Sequence, residues 1–295
     1  MSEATLMPSQ VRIVEVGPRD GLQNEAAHVP AEAKVTFVEA LADAGLPVVE
    51  VTSFVSPKAV PQLADADEVF PRVHRRPGVR YPVLVPNMRG LERAERAGAD
   101  AVAVFTAASE EFTERNIGMT IAESLAAFEP VLERAREFGW WRRGYVSTAF
   151  GCPYSGEVEP ARVVQVCMAL LELGCDEISV GDTIGVAEPD DVRRVCDALL
   201  ANVPVDRLAL HLHDTRGRAL DNVQAGLERG VATYDSSAGG TGGCPFAPGA
   251  PGNLATESLC ALLDRLDIEH GVDADKVAAA AIALRAQMAT EPGVN

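Results

Sequence analysis

No apolar run in this chain approaches the roughly 18 residues that a membrane-crossing helix needs, so no transmembrane segment is expected. The first ten residues carry neither an apolar core nor an Arg-rich amphipathic pattern, and Glu291-Pro-Gly-Val-Asn295 carries no lipidation or peroxisomal signal. The expectation is a cytoplasmic protein without a leader peptide or a membrane partner. The six cysteines, Cys152, Cys167, Cys175, Cys196, Cys244 and Cys260, form no C-x-x-C pair. Scattered through a chain too long to need covalent staples, they suit free thiols in a reducing compartment. Positive charge is scarce: 26 Lys and Arg stand against 43 Asp and Glu, a net charge of −17. Such a surface repels nucleic acid and anionic membranes, so neither is an expected partner. An anionic small substrate would need a local cationic pocket or a metal. There is no linker and no low-complexity stretch, which leaves one catalytic domain over 1–295, with 1–10 as a flexible N-terminal arm and 253–295 as C-terminal helices packing on it.

What the chain does have is 47% hydrophobic residues, enough for a sizeable core, in a regular alternation. Short β-branched runs at Val11–Val16, Val48–Ser53, Arg80–Val85, Asp100–Thr106, Gly144–Ala149, Glu177–Gly181, Leu208–His213 and Val231–Ser236 read as strands. Between and after them, Ala31–Ala44, Ala64–Phe70, Met88–Ala97, Ile121–Phe138, Pro160–Leu173, Pro189–Ala201, Arg218–Arg229, Asn253–Leu266 and Ala274–Ala289 read as helices. Several stop at a glycine, among them Gly45, Gly98 and Gly174. Eight β-then-α units predict an α/β fold, the (β/α)₈ TIM barrel with short additional helical segments. The alternative, an open doubly wound sheet, is weakened because no G-x-G-x-x-G follows the first strand.

In a barrel of this kind the site lies at the C-terminal ends of the strands. Polar residues gather there: Arg19 and Asp20 after strand one, Glu50 and Ser53 on strand two, Asn87 after strand three, Ser147 on strand five, Asp182 and Thr183 after strand six. The strongest signal is Leu208-Ala-Leu-His211-Leu-His213-Asp214. With side chains alternating across a strand, His211 and His213 share a face, either as a hydrogen-bonded core pair or as two ligands of one metal ion. Asp20, from a strand near in a closed barrel, would add a carboxylate, although Arg-Asp-Gly is also an ordinary turn. Asn253 could add an amide oxygen. A mixed nitrogen and oxygen shell with open positions suits Mg²⁺, Mn²⁺ or Co²⁺. The most unusual stretch, Ala238 to Asn253, combines glycines with Pro245, Pro248 and Pro251. It predicts a loop mobile in part and stiff in part, with Cys244 at its tip placed to give or take a proton. Arg19 offers a fork of donors for an enolate or carboxylate oxygen. Glu50, within an apolar strand, calls for Arg19 or a metal-bound water as its partner.

Longer motifs add a resemblance. Val16-Gly-Pro-Arg-Asp-Gly-Leu-Gln-Asn-Glu25, Val51-Thr-Ser-Phe-Val-Ser-Pro-Lys58, Gly151-Cys-Pro-Tyr-Ser-Gly156, Gly181-Asp-Thr-Ile-Gly185 and Gly243-Cys-Pro-Phe-Ala-Pro-Gly249 resemble the 3-hydroxy-3-methylglutaryl-CoA lyase family, a group of metal-dependent TIM-barrel lyases, from about Val11 to about Val272. The resemblance implies metal ligands at Asp20, His211, His213 and Asn253 and a catalytic thiol at Cys244. It implies a substrate-polarising arginine at Arg19, with Gln23, Glu50, Asp182 and Glu257 in support, and a neighbouring carboxylate or His211 to accept the substrate's hydroxyl proton. It implies Mg²⁺ or Mn²⁺, an acyl-CoA substrate, and cleavage of (S)-3-hydroxy-3-methylglutaryl-CoA to acetyl-CoA and acetoacetate, as in leucine degradation and ketone-body formation. Arg115 and Asn116 are the candidates for CoA contact, and the superfamily often forms homodimers. The same mechanism acting on another 3-hydroxy-3-methyl-acyl-CoA is the alternative, followed by a related aldolase or synthase and then by a metal-binding scaffold. Glu114, Pro251 and Ser258 depart from the family's usual lysine, serine and acid at segments that bear on the acyl group and CoA.

Overall fold

The fold is given by a computed structural model that describes residues 7–243 and 252–290. Nine parallel strand segments form one sheet: β1 (Arg12–Glu15), β2 (Val48–Val49), β3 (Thr52–Ser53), β4 (Val83–Leu84), β5 (Ala101–Ala107), β6 (Trp141–Ser147), β7 (Glu177–Asp182), β8 (Leu208–Leu212) and β9 (Thr233–Ser236). Their order is β2-β1-β9-β8-β7-β6-β5-β4-β3. The two end segments belong to one stretch of chain, because only Glu50 and Val51 separate β2 from β3. The Glu50 N–H donates to the Glu15 carbonyl on one side and the Val51 N–H to the Pro82 carbonyl on the other, at 2.9 and 3.0 Å. The sheet therefore closes on itself as the expected eight-stave barrel.

Ten helices follow among the described residues: α1 (Ala31–Asp43), α2 (Ala66–Arg72), α3 (Met88–Arg96), α4 (Glu110–Ile117), α5 (Ile121–Glu137), α6 (Pro160–Glu172), α7 (Pro189–Leu200), α8 (Ala219–Leu227), α9 (Thr256–Arg265) and α10 (Ala274–Thr290). None is long and apolar enough to cross a membrane. Local chemistry sets their ends. Thr120 and Glu123 form a reciprocal capping box at the start of α5. Gly45 ends α1 at φ 93°, where a Cβ would come within 2.5 Å of the Gly271 carbonyl oxygen, so only glycine fits. Short α4 escapes periodicity: its eight residues are mostly polar, and Ser109 starts it by accepting from the Phe112 N–H.

Two expectations need correction. The helical pattern from Asn253 starts late: α9 begins at Thr256, and Asn253 instead pairs with His213 through the backbone. The N-terminal arm is tied down at its end, since the Glu269 N–H donates to the Ser9 carbonyl and Gln10 bridges to Glu269.

Alternation along the strands sorts the side chains. On β1, Ile13 joins the large apolar core under the helices, while Val14 and Val16 pack inside the barrel with Val48 and Trp141. Much of the remaining interior is polar: Arg143, Tyr145, Glu177, Ser179, His211 and Asp235 meet there across β6, β7, β8 and β9.

Glu15 points the other way, fully buried, and accepts from the Gly17 and Ala238 N–H groups and the Thr256 hydroxyl. Burial outweighs these donors and pushes its carboxyl up to about 7. A carboxyl raised on folding contributes stability below the unfolded value near 4.5, and that stability is lost as pH rises through about 7. Glu15→Gln should therefore remove a decline of about 3 kcal/mol across that window. Denaturant unfolding of both proteins at several pH values reads the difference directly. Identical slopes would show that Glu15 does not titrate there.

Candidate metal centre

The strand β1 runs into a single π-helical turn, Gly17–Gly21, whose close packing sets its glycines. A Cβ on Gly21 would lie 2.9 Å from the Thr241 carbonyl oxygen. Turns of this type recur at functional sites, and this one carries Arg19 and Asp20 onto the C-terminal mouth. The strand β8 supplies His211 there, followed by His213. Their Nε2 atoms are 3.2 Å apart and their ring centroids 5.1 Å apart. One ligand atom each from Asp20, His211 and His213 lies within 4.8 Å of the others. Asn253 stands beside them and donates through its side-chain nitrogen to Asp20 Oδ2 at 2.9 Å.

The electrostatics suit a cation. Burial acts to raise the Asp20 carboxyl, but Arg19 and the two histidines outweigh it and hold the group down at about 2. Burial, reinforced by His211, pushes His213 down to about 4, so its ring is neutral near pH 7. Burial also acts downward on His211, yet Asp235 overrides it and raises the imidazole. Asp235 Oδ2 lies 3.2 Å from His211 Nδ1. That contact commits one ring nitrogen and turns Nε2 toward His213 and Asp20. Two nitrogen lone pairs and a carboxylate converging at a buried point are the donor set of a divalent-ion site with open positions.

Around this point runs a chain of hydrogen bonds. Arg19 Nη1 donates to Asp20 at 2.7 Å and Arg19 Nε to Glu50 Oε2 at 2.7 Å. The Tyr145 hydroxyl donates to the same Glu50 oxygen at 3.1 Å and accepts from Arg143 Nη1 at 2.9 Å. Arg143 Nη2 pairs with Asp235, which also accepts from the Ser179 hydroxyl at 2.7 Å and reaches His211. Two nitrogens of Arg19 are thus fixed by carboxylates. Burial raises the Glu50 carboxyl despite Arg19, and its Oε1 is buried with no hydrogen bond.

The other expected residues divide. Asp182 is buried and pushed up to about 6 by that burial, but its oxygens accept from the Val186 and Ala187 N–H groups. It shapes the loop after β7 and does not join the converging triad. Glu257 likewise holds backbone, accepting from the Gly239 N–H at 2.9 Å. Gln23 is half-buried just past the π turn. Arg115 and Asn116 are exposed on α4, away from the ion point on the same rim, with Arg115 4.5 Å above the Tyr154 ring. Cys244 and Pro251 lie outside the described residues. The chain on either side of them ends at the site: the Asn253 N–H donates to the Gly242 carbonyl, and Gly242 in turn donates to Glu25.

Sequence reasoning missed Arg143, Tyr145, Asp235 and Ser179. A signal existed, since Arg143-Gly-Tyr145 and Thr233-Tyr-Asp235 place polar side chains at period two. Starting the fifth strand at Gly144 left Arg143 outside it. Asp235 carries a testable load: Asp235→Asn keeps an acceptor for His211 but loses the charge. Divalent-ion affinity should fall by about 10–100-fold, as read by calorimetric titration of Mn²⁺, with the circular-dichroism melt as a check on folding.

Comparison with known proteins gives the family. The HMGL-like family model matches residues 10–283. The bovine protein named "Hydroxymethylglutaryl-CoA lyase, mitochondrial" is 52% identical over 276 residues, covering 94% of this chain and 85% of that one. A Pseudomonas aeruginosa protein named "3-hydroxy-3-isohexenylglutaryl-CoA/hydroxy-methylglutaryl-CoA lyase" is 51% identical, covering 90% of this chain and 89% of its own. The crystal structure of the HMG-CoA lyase from Brucella melitensis superposes with a TM-score of 0.93 at 49% identity, covering 95% of this chain and 99% of that one.

Proposed function

The chain belongs to the HMGL-like family, and from that premise we propose a hydroxymethylglutaryl-CoA lyase that cleaves (S)-3-hydroxy-3-methylglutaryl-CoA to acetyl-CoA and acetoacetate. The observation that carries this reading is the convergence of Asp20, His211 and His213 at the barrel mouth beside Arg19. It occurs in a chain about half identical to named lyases over nearly its full length. Asp20, His211 and His213 would hold Mg²⁺ or Mn²⁺, with Asn253 as a fourth ligand once its amide turns Oδ1 toward the ion. Such an ion supplies Lewis-acid activation of the substrate hydroxyl, whose own pKa lies far above neutral.

The chain's residues supply the remainder. The hydroxyl proton must leave, and Glu50 Oε1 suits its receipt: it is buried, unbonded and raised in pKa. The carbon–carbon bond then breaks, its electrons forming acetoacetate's ketone and the enolate of acetyl-CoA. Arg19, braced by Glu50 and Asp20, would face the enolate oxygen with Nη2, the nitrogen left over by those two contacts. Cys244, as a neutral thiol, would protonate the enolate carbon. Arg115 and Asn116 are proposed to meet the CoA nucleotide. We assign the reaction to leucine degradation and ketone-body formation in the cytoplasm. The five cysteines among the described residues are unpaired, which supports a reducing compartment.

A second reading rests on the Pseudomonas relative, whose name covers an isohexenyl substrate as well. Coupled assay of acetyl-CoA release, with Mg²⁺ or Mn²⁺ and with chelator, across a panel of 3-hydroxy-3-alkylglutaryl-CoA esters separates the two. Metal-dependent turnover of the methyl ester supports the first reading. Turnover of the isohexenyl ester alone replaces it with the second, and no release from any ester overturns both.

A further inference from the structure

The opposite end of the barrel holds a group of arginines that the lyase reaction does not use. Arg12, Trp141, Glu177 and Thr233 are the first residues of β1, β6, β7 and β9, and Arg80 bridges to Val48, the first residue of β2. All five therefore belong to the N-terminal floor. The Arg80 guanidinium lies 4.5 Å over the Trp141 ring, and it makes no hydrogen bond or ion-pair contact among the described residues. Arg12 spends Nη2 on Glu177 and Thr233, while its Nε is buried without a partner.

The local charge does not balance. Glu177 serves Arg12 with one oxygen and faces Arg143 Nε at 2.9 Å with the other. Asp176 is taken by Arg142. Arg207 turns its guanidinium to the Cys175 and Asp176 carbonyls, which accept hydrogen bonds but carry no formal charge. Glu177 and Asp176, engaged as above, and Asp100, largely exposed and paired with Arg75, act on Arg80 only from a distance. Burial and the neighbouring charge of Arg12 push the Arg80 guanidinium below its ordinary range. In a chain of net charge −17, surplus cations gathered at one mouth, with donors pointing at no acceptor, are the unfilled half of an ion pair.

We propose that the N-terminal floor of the barrel binds a tetrahedral oxyanion, inorganic phosphate, between Arg80, Arg12 and Trp141. Guanidinium forks match phosphate oxygens in geometry and charge. The Trp141 ring holds Arg80 from behind and leaves its nitrogen edge for the anion. Thr233 adds a hydroxyl beside Arg12. The site lies a barrel's depth from Asp20 and His213, so it is independent of the lyase reading.

The test titrates inorganic phosphate into the full chain at constant ionic strength, with CoA at saturation to fill the substrate mouth and chloride as the matched salt. Calorimetry should give saturable binding, and the melting temperature should climb with occupancy. Trp141 should report binding by fluorescence, since Trp140 is the only other tryptophan. Arg80→Gln should weaken phosphate binding by about tenfold or more and leave lyase turnover unchanged. Trp141→Phe should abolish the fluorescence response, a result that decides the matter even if Arg80→Gln does not fold. Absence of saturable phosphate binding in the unaltered protein overturns the proposal. So does full affinity in a folded Arg80→Gln, or an unchanged fluorescence response in Trp141→Phe.

Discussion

Replacing Cys244 by alanine is expected to lower kcat by about 10²–10⁴-fold while divalent-ion affinity stays at its original value. Carbon–carbon cleavage leaves an acetyl-CoA enolate that needs a proton at carbon, and water in an enclosed site is a poor and unplaced donor. The thiol is the acid that the Gly243-Cys-Pro-Phe-Ala-Pro-Gly249 segment would bring to it. The described chain flanking that segment ends beside the ion point, through the Asn253 N–H to Gly242 carbonyl bond and the Asn253 to Asp20 contact. Separating the two readouts matters. Lost turnover with retained metal assigns the thiol to proton transfer, whereas near-normal turnover removes it from the mechanism. Loss of both would mean that the loop supports the ion and does not supply a proton.

The second large effect belongs to the ion itself. His213→Ala and Asp20→Asn should each reduce kcat/KM by about 10³-fold or more, because Lewis-acid activation contributes several kcal/mol to such a transition state. Both should lose measurable Mn²⁺ binding by calorimetry. They differ in what they leave behind. His213 contributes a neutral ring, held so by burial and by His211, so its removal unpairs no charge. Asp20→Asn takes a carboxylate from Arg19, which keeps Glu50 as its remaining partner at 2.7 Å. Excess Mn²⁺ should therefore rescue His213→Ala in part and Asp20→Asn less. Full activity of His213→Ala without added ion would remove the metal from the reaction.

How far the chain could be read before its coordinates depends on which residues announce themselves locally. His211 and His213 do in part: a histidine pair at period two in an apolar strand reads as a core pair or as two ligands of one ion, and their nitrogens lie within reach of the Asp20 carboxylate. The eight-stave closure was also legible, from the eight-fold alternation, the missing G-x-G-x-x-G and the family resemblance together. Arg143 and Asp235 did not announce themselves. A charged residue inside a strand gains meaning only when a partner from another strand is known, and theirs lie on β6 and β9, 92 residues apart. Asn253 was placed rightly as a neighbour of the site but in the wrong local structure. The pattern after it is helical, yet its backbone is taken by His213 and Gly242. Helix α4 was missed because nearly every face of it is polar, so there is no stripe to detect.

The stave through Glu50 and Val51 has a mechanical consequence. These consecutive amides fasten to the neighbours on either side, Glu15 and Pro82, as in any interior strand, and Glu50 also grips Arg19 and Tyr145. A molecule that braces Arg19 from the mouth tightens this stave, and unzipping the stave dismantles the pocket. Deuterium uptake at those two amides should then slow together when substrate analogues are bound, making a pair of backbone protons the gauge of occupancy at a site they do not touch.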